Sequence, residues 1–347
     1  MRKKILYVLL LVLIFSLNIL PRTPKAGLGG IAASPDGKRL AVGGINRVIY
    51  IVDAKTLAVK DRVWLKTQIY DLAFNKDGSI LIAEDTKETL HFINTKSLKV
   101  INQVSKAADM NTAPGVNKLA ALERGYRQSV VKLYSMSDGK LLQSIVLEGR
   151  VLAHGIDAEA KRLVVILQGP KDKEAKVPHK QIPKNLKGVE KDLFVQKNDG
   201  KVSILVEYDL SKAVKTAETE IFYHPGQFPK VVVLNEVTLV VNYNNVNARI
   251  SADNTVTLFK LQNLYNYGIG VSADRSLVAS GGLRTGSIYN TQTGDIKAFK
   301  IDPLPGWPEY LKGFAFGSDG AVFAGTMGFR LVKIGPGSVS TQAVPVY

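Results

Sequence analysis

The 347-residue chain contains no cysteine. That absence removes disulfides, thiolate zinc sites, iron–sulfur clusters, thioether-bound haem and cysteine nucleophiles together. An acylated-cysteine lipoprotein anchor is excluded for the same reason. Histidine is scarce, with only His91, His154, His179 and His224, and tryptophan occurs only as Trp64 and Trp307. Acid is short relative to base, 30 Asp and Glu against 46 Lys and Arg, a formal charge of +16. Such an excess implies an anionic partner only if it is concentrated on one face. Catalytic signatures are missing too. The chain has no Gly-x-Ser-x-Gly elbow and no His-Glu-x-x-His zinc motif. Gly268-Ile269-Gly270 imitates a dinucleotide fingerprint but opens no helix that could hold a phosphate. Gly37-Lys38, Gly139-Lys140 and Gly200-Lys201 lack the glycine spacing and the Ser or Thr of a phosphate loop.

What is present is enough apolar residue, 46% of the chain, to bury a core, which excludes disordered and collagen-like classes. Residues 1–26 place Arg2, Lys3, Lys4, Arg22 and Lys25, with no acid, around the apolar run Ile5 to Leu20. Sixteen residues as a helix reach roughly 24 Å against a hydrocarbon core of ~30 Å, which suits a signal peptide or a short uncleaved anchor. Pro24 spoils the small-x-small pattern before Ala26, so cleavage and anchoring both stay open. Either way, basic residues retained in the cytoplasm would send the rest of the chain out, to the periplasm or an equivalent compartment.

From residue 28 onward, short alternating stretches are punctuated by turn residues. Ile31 to Val42 matches Leu72 to Ala83 in spacing, each reading as strand, Asp-Gly turn, strand. Markers at 36, 77, 117, 159, 235, 274 and 319 are separated by 41, 40, 42, 76, 39 and 45 residues. A second marker, an aliphatic or aromatic residue followed by a polar one, recurs at Val52-Asp53, Ile93-Asn94, Tyr134-Ser135, Tyr208-Asp209 and Tyr289-Asn290. Each unit therefore holds about four short strands in roughly 40 residues, the length of a propeller blade. The expected fold is all-β: a seven-bladed β-propeller of four-stranded antiparallel blades over residues 27–347, preceded by an N-terminal hydrophobic signal or anchor helix over 1–26.

The run Ser34-Pro35-Asp36-Gly37-Lys38-Arg39-Leu40-Ala41-Val42, with Ile49-Tyr50-Ile51-Val52-Asp53, resembles the bacterial YVTN and WD40-like propeller repeats. The Trp-Asp and Gly-His signatures of true WD40 repeats are absent, and the resemblance is specific for fold rather than activity. A narrower stretch, Tyr265 to Asp274 with Ser287 to Gly294, is similar to the penultimate blade of the β-subunit of quinohemoprotein amine dehydrogenases. That likeness implies an accessory chain whose cofactors sit on partner subunits.

Connections between blades and the loops joining second to third strands share one face, and the tight turns occupy the other. The irregular step at blade 4 places an insertion, 169–201, on the loop-bearing face, where long loops are often functional. It carries nine lysines, among them Lys171, Lys173, Lys180 and Lys184, against five acids. The same face receives the aromatic-rich connections Trp64 to Tyr70, Arg150 to His154, Phe222 to Phe228, Tyr265 to Tyr267 and Pro303 to Tyr310. Trp307, Tyr310, Tyr267 and Phe228 are the candidate partner-binding aromatics. His154, His179 and His224 map to this face too, but without ligand spacing they are weak candidates for a metal or haem iron. Asp36, Asp77 and Asp319 read as turn formers on the opposite face.

Five of the excess positive charges belong to the leader and four to the insertion, leaving about seven for the propeller, so nucleic acid loses its support as a partner. The expected function is an exported, membrane-associated binding or assembly module with no cofactor of its own, engaging protein partners through the loop-bearing face. The alternatives are an accessory subunit of a periplasmic redox enzyme and a lactonase-like hydrolase.

Overall fold

Short strands with continuous apolar runs, Ile80 to Ala83 within Ile80–Asp85 and Val48 to Val52 within Val48–Asp53, are buried on both sides. A strand of that kind has to be covered by packed sheets on its two faces. The computed structural model describes residues 27–169, 181–187, 191, 194–195, 202–226, 229–302, 309–335 and 344–345, apart from 126 and 264. The leader, Lys171, Lys173, Lys180, His179, Phe228 and Trp307 lie outside the described residues.

Among the described residues, twenty-eight strands form seven four-stranded antiparallel sheets. Blade 1 comprises β1 (Gly30–Ala33), β2 (Arg39–Gly43), β3 (Val48–Asp53) and β4 (Val59–Trp64). Blade 2 comprises β5 (Ile69–Phe74), β6 (Ile80–Asp85), β7 (Thr89–Asn94) and β8 (Lys99–Ser105). Blade 3 runs through β9 (Ala108–Ala113), β10 (Lys118–Glu123), β11 (Gln128–Ser135) and β12 (Leu141–Glu148). Blade 4 holds β13 (Val151–Ile156), β14 (Arg162–Gln168), β15 (Ser203–Asp209) and β16 (Val214–Ile221). Blade 5 holds β17 (Lys230–Val233), β18 (Val237–Val241), β19 (Asn247–Ser251) and β20 (Val256–Phe259). Blade 6 is β21 (Gly268–Val271), β22 (Leu277–Gly281), β23 (Thr285–Asn290) and β24 (Ile296–Lys300). Blade 7 is β25 (Leu311–Phe316), β26 (Val322–Thr326), β27 (Arg330–Ile334) and β28 (Val344–Pro345). In blade 4, β14 ends at Gln168 and β15 begins at Ser203.

The period of two along each strand distributes the core. On β6, Leu81 and Ala83 pack toward blade 1 while Ile80 and Ile82 pack toward blade 3. On β3, Ile49 and Ile51 face blade 2, and Val48, Tyr50 and Val52 face blade 7. Every neighbouring pair of blades shares one apolar cluster in this way, seven in all, including the pair formed by blades 7 and 1. Among the described residues, no blade combines strands from both ends of the chain. The ring closes instead through the cluster joining Leu28, Val42 and Tyr50 to Phe323 and Leu331, and through the Leu28 N–H donating to the Thr326 carbonyl at 3.0 Å.

The inner strands converge on a central channel, and their close approach demands small residues. A Cβ on Gly155 would lie 2.8 Å from the Val231 carbonyl oxygen, and one on Gly268 would lie 2.3 Å from that of Lys312. Blade 4 corrects one expectation accordingly. The stretch Arg150 to His154 is not a connection, because Val151–Ile156 is the inner strand, with His154 opposite Val165 at mid-strand. Gly155 makes the segment look loop-like in sequence, and the close approach of Val231 is what requires it. No helix among the described residues is long and apolar enough to cross a membrane.

Candidate binding face and central channel

The turns between first and second strands follow one pattern. The N–H of the fourth residue returns to the carbonyl of the first in Ser34 to Gly37, Asn75 to Gly78, Ser272 to Arg275 and Gly317 to Gly320. The aspartate at the third position closes the turn. Asp36 accepts from Ser34 Oγ at 2.6 Å and from the Lys38 N–H at 3.1 Å, and Asp77 accepts from Ser79 Oγ at 2.6 Å. Those bonds to the ionised form hold both carboxyls below the ordinary Asp range. Asp319 is also held low, against its own desolvation, by the Ala321 N–H and by Lys333. All three act as turn formers at the face opposite the loops.

At the loop-bearing end of the channel, the first residue of β17 reaches across the ring. Lys230 Nζ lies 2.8 Å from the Asp71 carboxylate of β5 and 3.4 Å from the Met110 carbonyl. Glu84 sits behind, fully buried, accepting from the backbone N–H groups of Asp109 and Met110 at 2.8 and 2.9 Å. Desolvation alone would lower the Lys230 pKa, but Asp71 and Glu84 outweigh it and raise the value. Lys230 is therefore a fixed ammonium, unsuited to act as an amine nucleophile.

The loops of blades 5 to 7 bring four tyrosines together. Tyr243, after β18, stacks on Tyr265 with centroids 5.1 Å apart and meets Tyr267 edge-on at 5.0 Å. Tyr267 lies 4.9 Å from Tyr310, and the Lys312 ammonium sits 4.1 Å from the Tyr267 centroid and 5.4 Å from that of Tyr310. The hydroxyls of Tyr243 and Tyr267 are hydrogen-bonded at 3.0 Å. This contact, burial and the neighbouring phenols push the Tyr267 pKa well up, so it does not ionise near neutral pH. Tyr265 is 40% exposed and offers its ring to solvent.

A buried asparagine network fixes these loops. Asn266, between Tyr265 and Tyr267, donates to the Asn242 carbonyl at 2.8 Å, and Asn242 Nδ2 donates to the Tyr223 hydroxyl at 2.8 Å. Asn245 Oδ1 accepts from the Leu261 N–H and from Asn247 Nδ2, each at 2.9 Å. Ser287 Oγ donates to Asn263 Oδ1 at 2.9 Å. Buried hydrogen bonds of this kind hold the tyrosines in one arrangement, although Asn242 Oδ1 is left without a partner.

Of the sequence candidates, Tyr267 and Tyr310 are thus adjacent, and Lys184 is exposed on the insertion. His154 is buried in β13, and His224 is half-buried in the connection from blade 4 to blade 5. No group of three or more His, Asp or Glu side chains suited to a metal occurs among the described residues. His91 belongs to a different device. Its Nε2 lies 2.9 Å from Asp85 and its Nδ1 2.9 Å from Gln103 Nε2. Because an amide nitrogen can only donate, Nδ1 accepts and Nε2–H donates to Asp85. Sequence reading missed Tyr243, Lys312 and the asparagines. The asparagine-dense runs 242–247 and 263–266 were their visible trace.

No family model matches this chain, and no curated protein matches it significantly.

Proposed function

We propose that the chain is an exported β-propeller that acts by binding, engaging a protein partner through the loop-bearing face at blades 5 to 7. The observation that carries this reading is the tyrosine cluster around Lys312, braced from behind by buried asparagines and exposed at Tyr265. Rigid aromatic groups give contact area at low entropic cost, a property of binding hot spots. The prominent ionisable groups of the channel are engaged within the fold, Lys230 by Asp71 and Glu84 by backbone N–H groups, which favours binding over chemistry. In this reading residues 1–26 direct export and hold or release the propeller at the inner membrane. The lysine-rich insertion, with Lys171, Lys173, Lys180 and Lys184, adds an electrostatic contact on the same face. Trp307 and Phe228, in connections leading to that face, would extend the aromatic surface.

A second reading, an accessory subunit of a periplasmic redox enzyme, is favoured by one coincidence. The stretch similar to the quinohemoprotein amine dehydrogenase β-subunit is the one that supplies Tyr265 and Tyr267. The test is gentle purification of the full chain from native membranes, identification of co-purifying chains, and a visible absorption spectrum. A partner that is retained by the wild type and lost with Tyr265→Ala supports the binding reading. A haem or quinone band from that partner selects the redox reading. A lone, colourless chain that hydrolyses lactones with a divalent metal overturns both.

A further inference from the structure

We propose that the central cavity, at the turn-bearing end of the channel, binds a small carboxylate with an apolar body, its charge met by Arg275. This site lies away from the tyrosine platform and stands independently of it.

Arg275 breaks the turn repeat. Gly37, Gly78 and Gly320 occupy the fourth position of their turns with φ of 68°, 72° and 75°, Asn117 and Ala160 stand there in blades 3 and 4 at 61° and 50°, and blade 6 holds arginine at φ 60°. What sets Arg275 apart from Asn117 and Ala160 is a long cationic side chain placed at the rim of the channel. The side chain crosses the ring. Nη1 donates to the carbonyls of Ile156 at 2.5 Å and Val233 at 3.1 Å, and Nη2 donates to that of Thr112 at 3.1 Å. These carbonyls belong to blades 4, 5 and 3.

Arg275 is 8% exposed, and its guanidinium hydrogen bonds go to neutral carbonyls. Asp157 acts on it only through its field, and burial lowers its pKa to about 10. A buried cation without a carboxylate contact gains from an anion. Five N–H groups are available on a guanidinium, so Nε–H and one Nη2–H remain for a ligand.

The space beside Arg275 suits such a ligand. A cavity of about 310 Å³ runs from the Lys230–Asp71 pair to the turn-bearing mouth, at the lower end of volumes that hold small organic molecules. Its walls include Ile31, Phe74, Ile269, Phe314 and Phe316. Lys230 and Asp71 cancel, which leaves Arg275 as the net charge of the lining. Asn111 is already engaged, donating to the Val231 carbonyl and accepting from the Ile156 N–H, each at 3.2 Å. The lining therefore selects one negative group and an apolar remainder.

The test is calorimetric titration of the purified protein with 4-phenylbutyrate, with 4-phenylbutylamine and sodium chloride as controls. The expected result is saturable 1:1 binding of the carboxylate, weaker by at least about tenfold for the amine and in Arg275→Met. Since Arg275→Met also removes the cross-channel bonds, Ala73→Leu and Ala33→Leu provide a second arm by filling the cavity with Arg275 in place. Each should abolish binding while the circular dichroism melt keeps its cooperativity. No saturation by ~5 mM, equal binding of the amine, stabilisation reproduced by chloride, or full binding in both leucine variants would overturn the proposal.

Discussion

The ammonium of Lys230 and the carboxylate of Asp71 meet at 2.8 Å across the channel, although 159 residues separate them in the chain. They belong to blades 5 and 2, on opposite sides of the ring. The contact spans the channel, so it depends on how the blades between them stack rather than on any local pairing.

Removing one partner of this pair should cost more than removing both, because the survivor is left with an unmatched charge in a confined site. Lys230→Met and Asp71→Asn should each lower unfolding stability by about 2 kcal/mol, with the double variant well short of their sum. The Lys230 pKa is raised in the fold. Its contribution is therefore complete below the unfolded lysine value of about 10.4 and is lost as pH rises through the higher folded value. Urea unfolding should show a constant gap between wild type and Lys230→Met from pH 7 to 9, narrowing above about 10.5. A gap that narrows toward acid instead would contradict this assignment.

Asp85 supplies the opposite pH dependence. Desolvation pushes its carboxyl up, but His91, the Thr89 N–H and the Lys87 N–H together bring it below the ordinary value. A depressed folded value means the stabilisation is present above the unfolded pKa near 3.9 and disappears as pH falls through the folded one. Asp85→Asn should therefore cost about 1–3 kcal/mol at pH 7 and progressively less below about pH 4. Denaturant midpoints of the two proteins at pH 7 and 3 check this, and a difference that persists undiminished at pH 3 would refute it.

The blades were legible in the sequence and the channel was not, for one physical reason. Strand alternation and turn chemistry are local, so Asp36-Gly37 and Asp77-Gly78 announce hairpins, and Tyr208-Asp209 announces the strand after the insertion. Contacts between Lys230 and Asp71, or between Arg275 and Thr112, depend on how far the ring turns before it closes, and no local period encodes that. Tyr267 and Tyr310 could be nominated because aromatic residues in connections to one face end near each other. Tyr243 obeys the same rule, lying in the loop between β18 and β19, but blade 5 lacks the second marker that would have fixed the bounds of that loop in the sequence. The inner strand of blade 4 was hidden by His154 and by Gly155, the latter required by the close approach of Val231.

Within the tyrosine cluster, exposure separates roles that sequence treats alike. Tyr265→Ala removes a 40%-exposed ring and should shift the thermal midpoint little while weakening partner capture by about tenfold or more. Tyr267→Ala removes the ring at the centre of the cluster, touching Tyr243, Tyr310 and Lys312, and should destabilise the fold by about 2–3 kcal/mol. Thermal unfolding alongside partner pull-down distinguishes the two. Equal destabilisation by both variants would mean that the platform is packing rather than a contact surface.

Arg275 permits its backbone and side-chain energies to be separated. Gly320 occupies the equivalent turn position at φ 75°, and a Cβ built there meets nothing within 4 Å. Gly320→Ala should therefore lose only the left-handed penalty, about 1 kcal/mol. At position 275, Arg275→Gly and Arg275→Ala both delete the bonds to Ile156, Val233 and Thr112, so their difference isolates the same backbone quantity. Arg275→Gly should be the more stable of the two by about 1 kcal/mol, and still less stable than wild type by about 1–3 kcal/mol, because the charged cross-channel bonds outweigh the relieved strain. Guanidinium unfolding of the three variants beside wild type gives all the differences at once. If Arg275→Gly proves more stable than wild type, the clamp contributes nothing net to the fold, and the strain at this turn is retained for the cavity it faces.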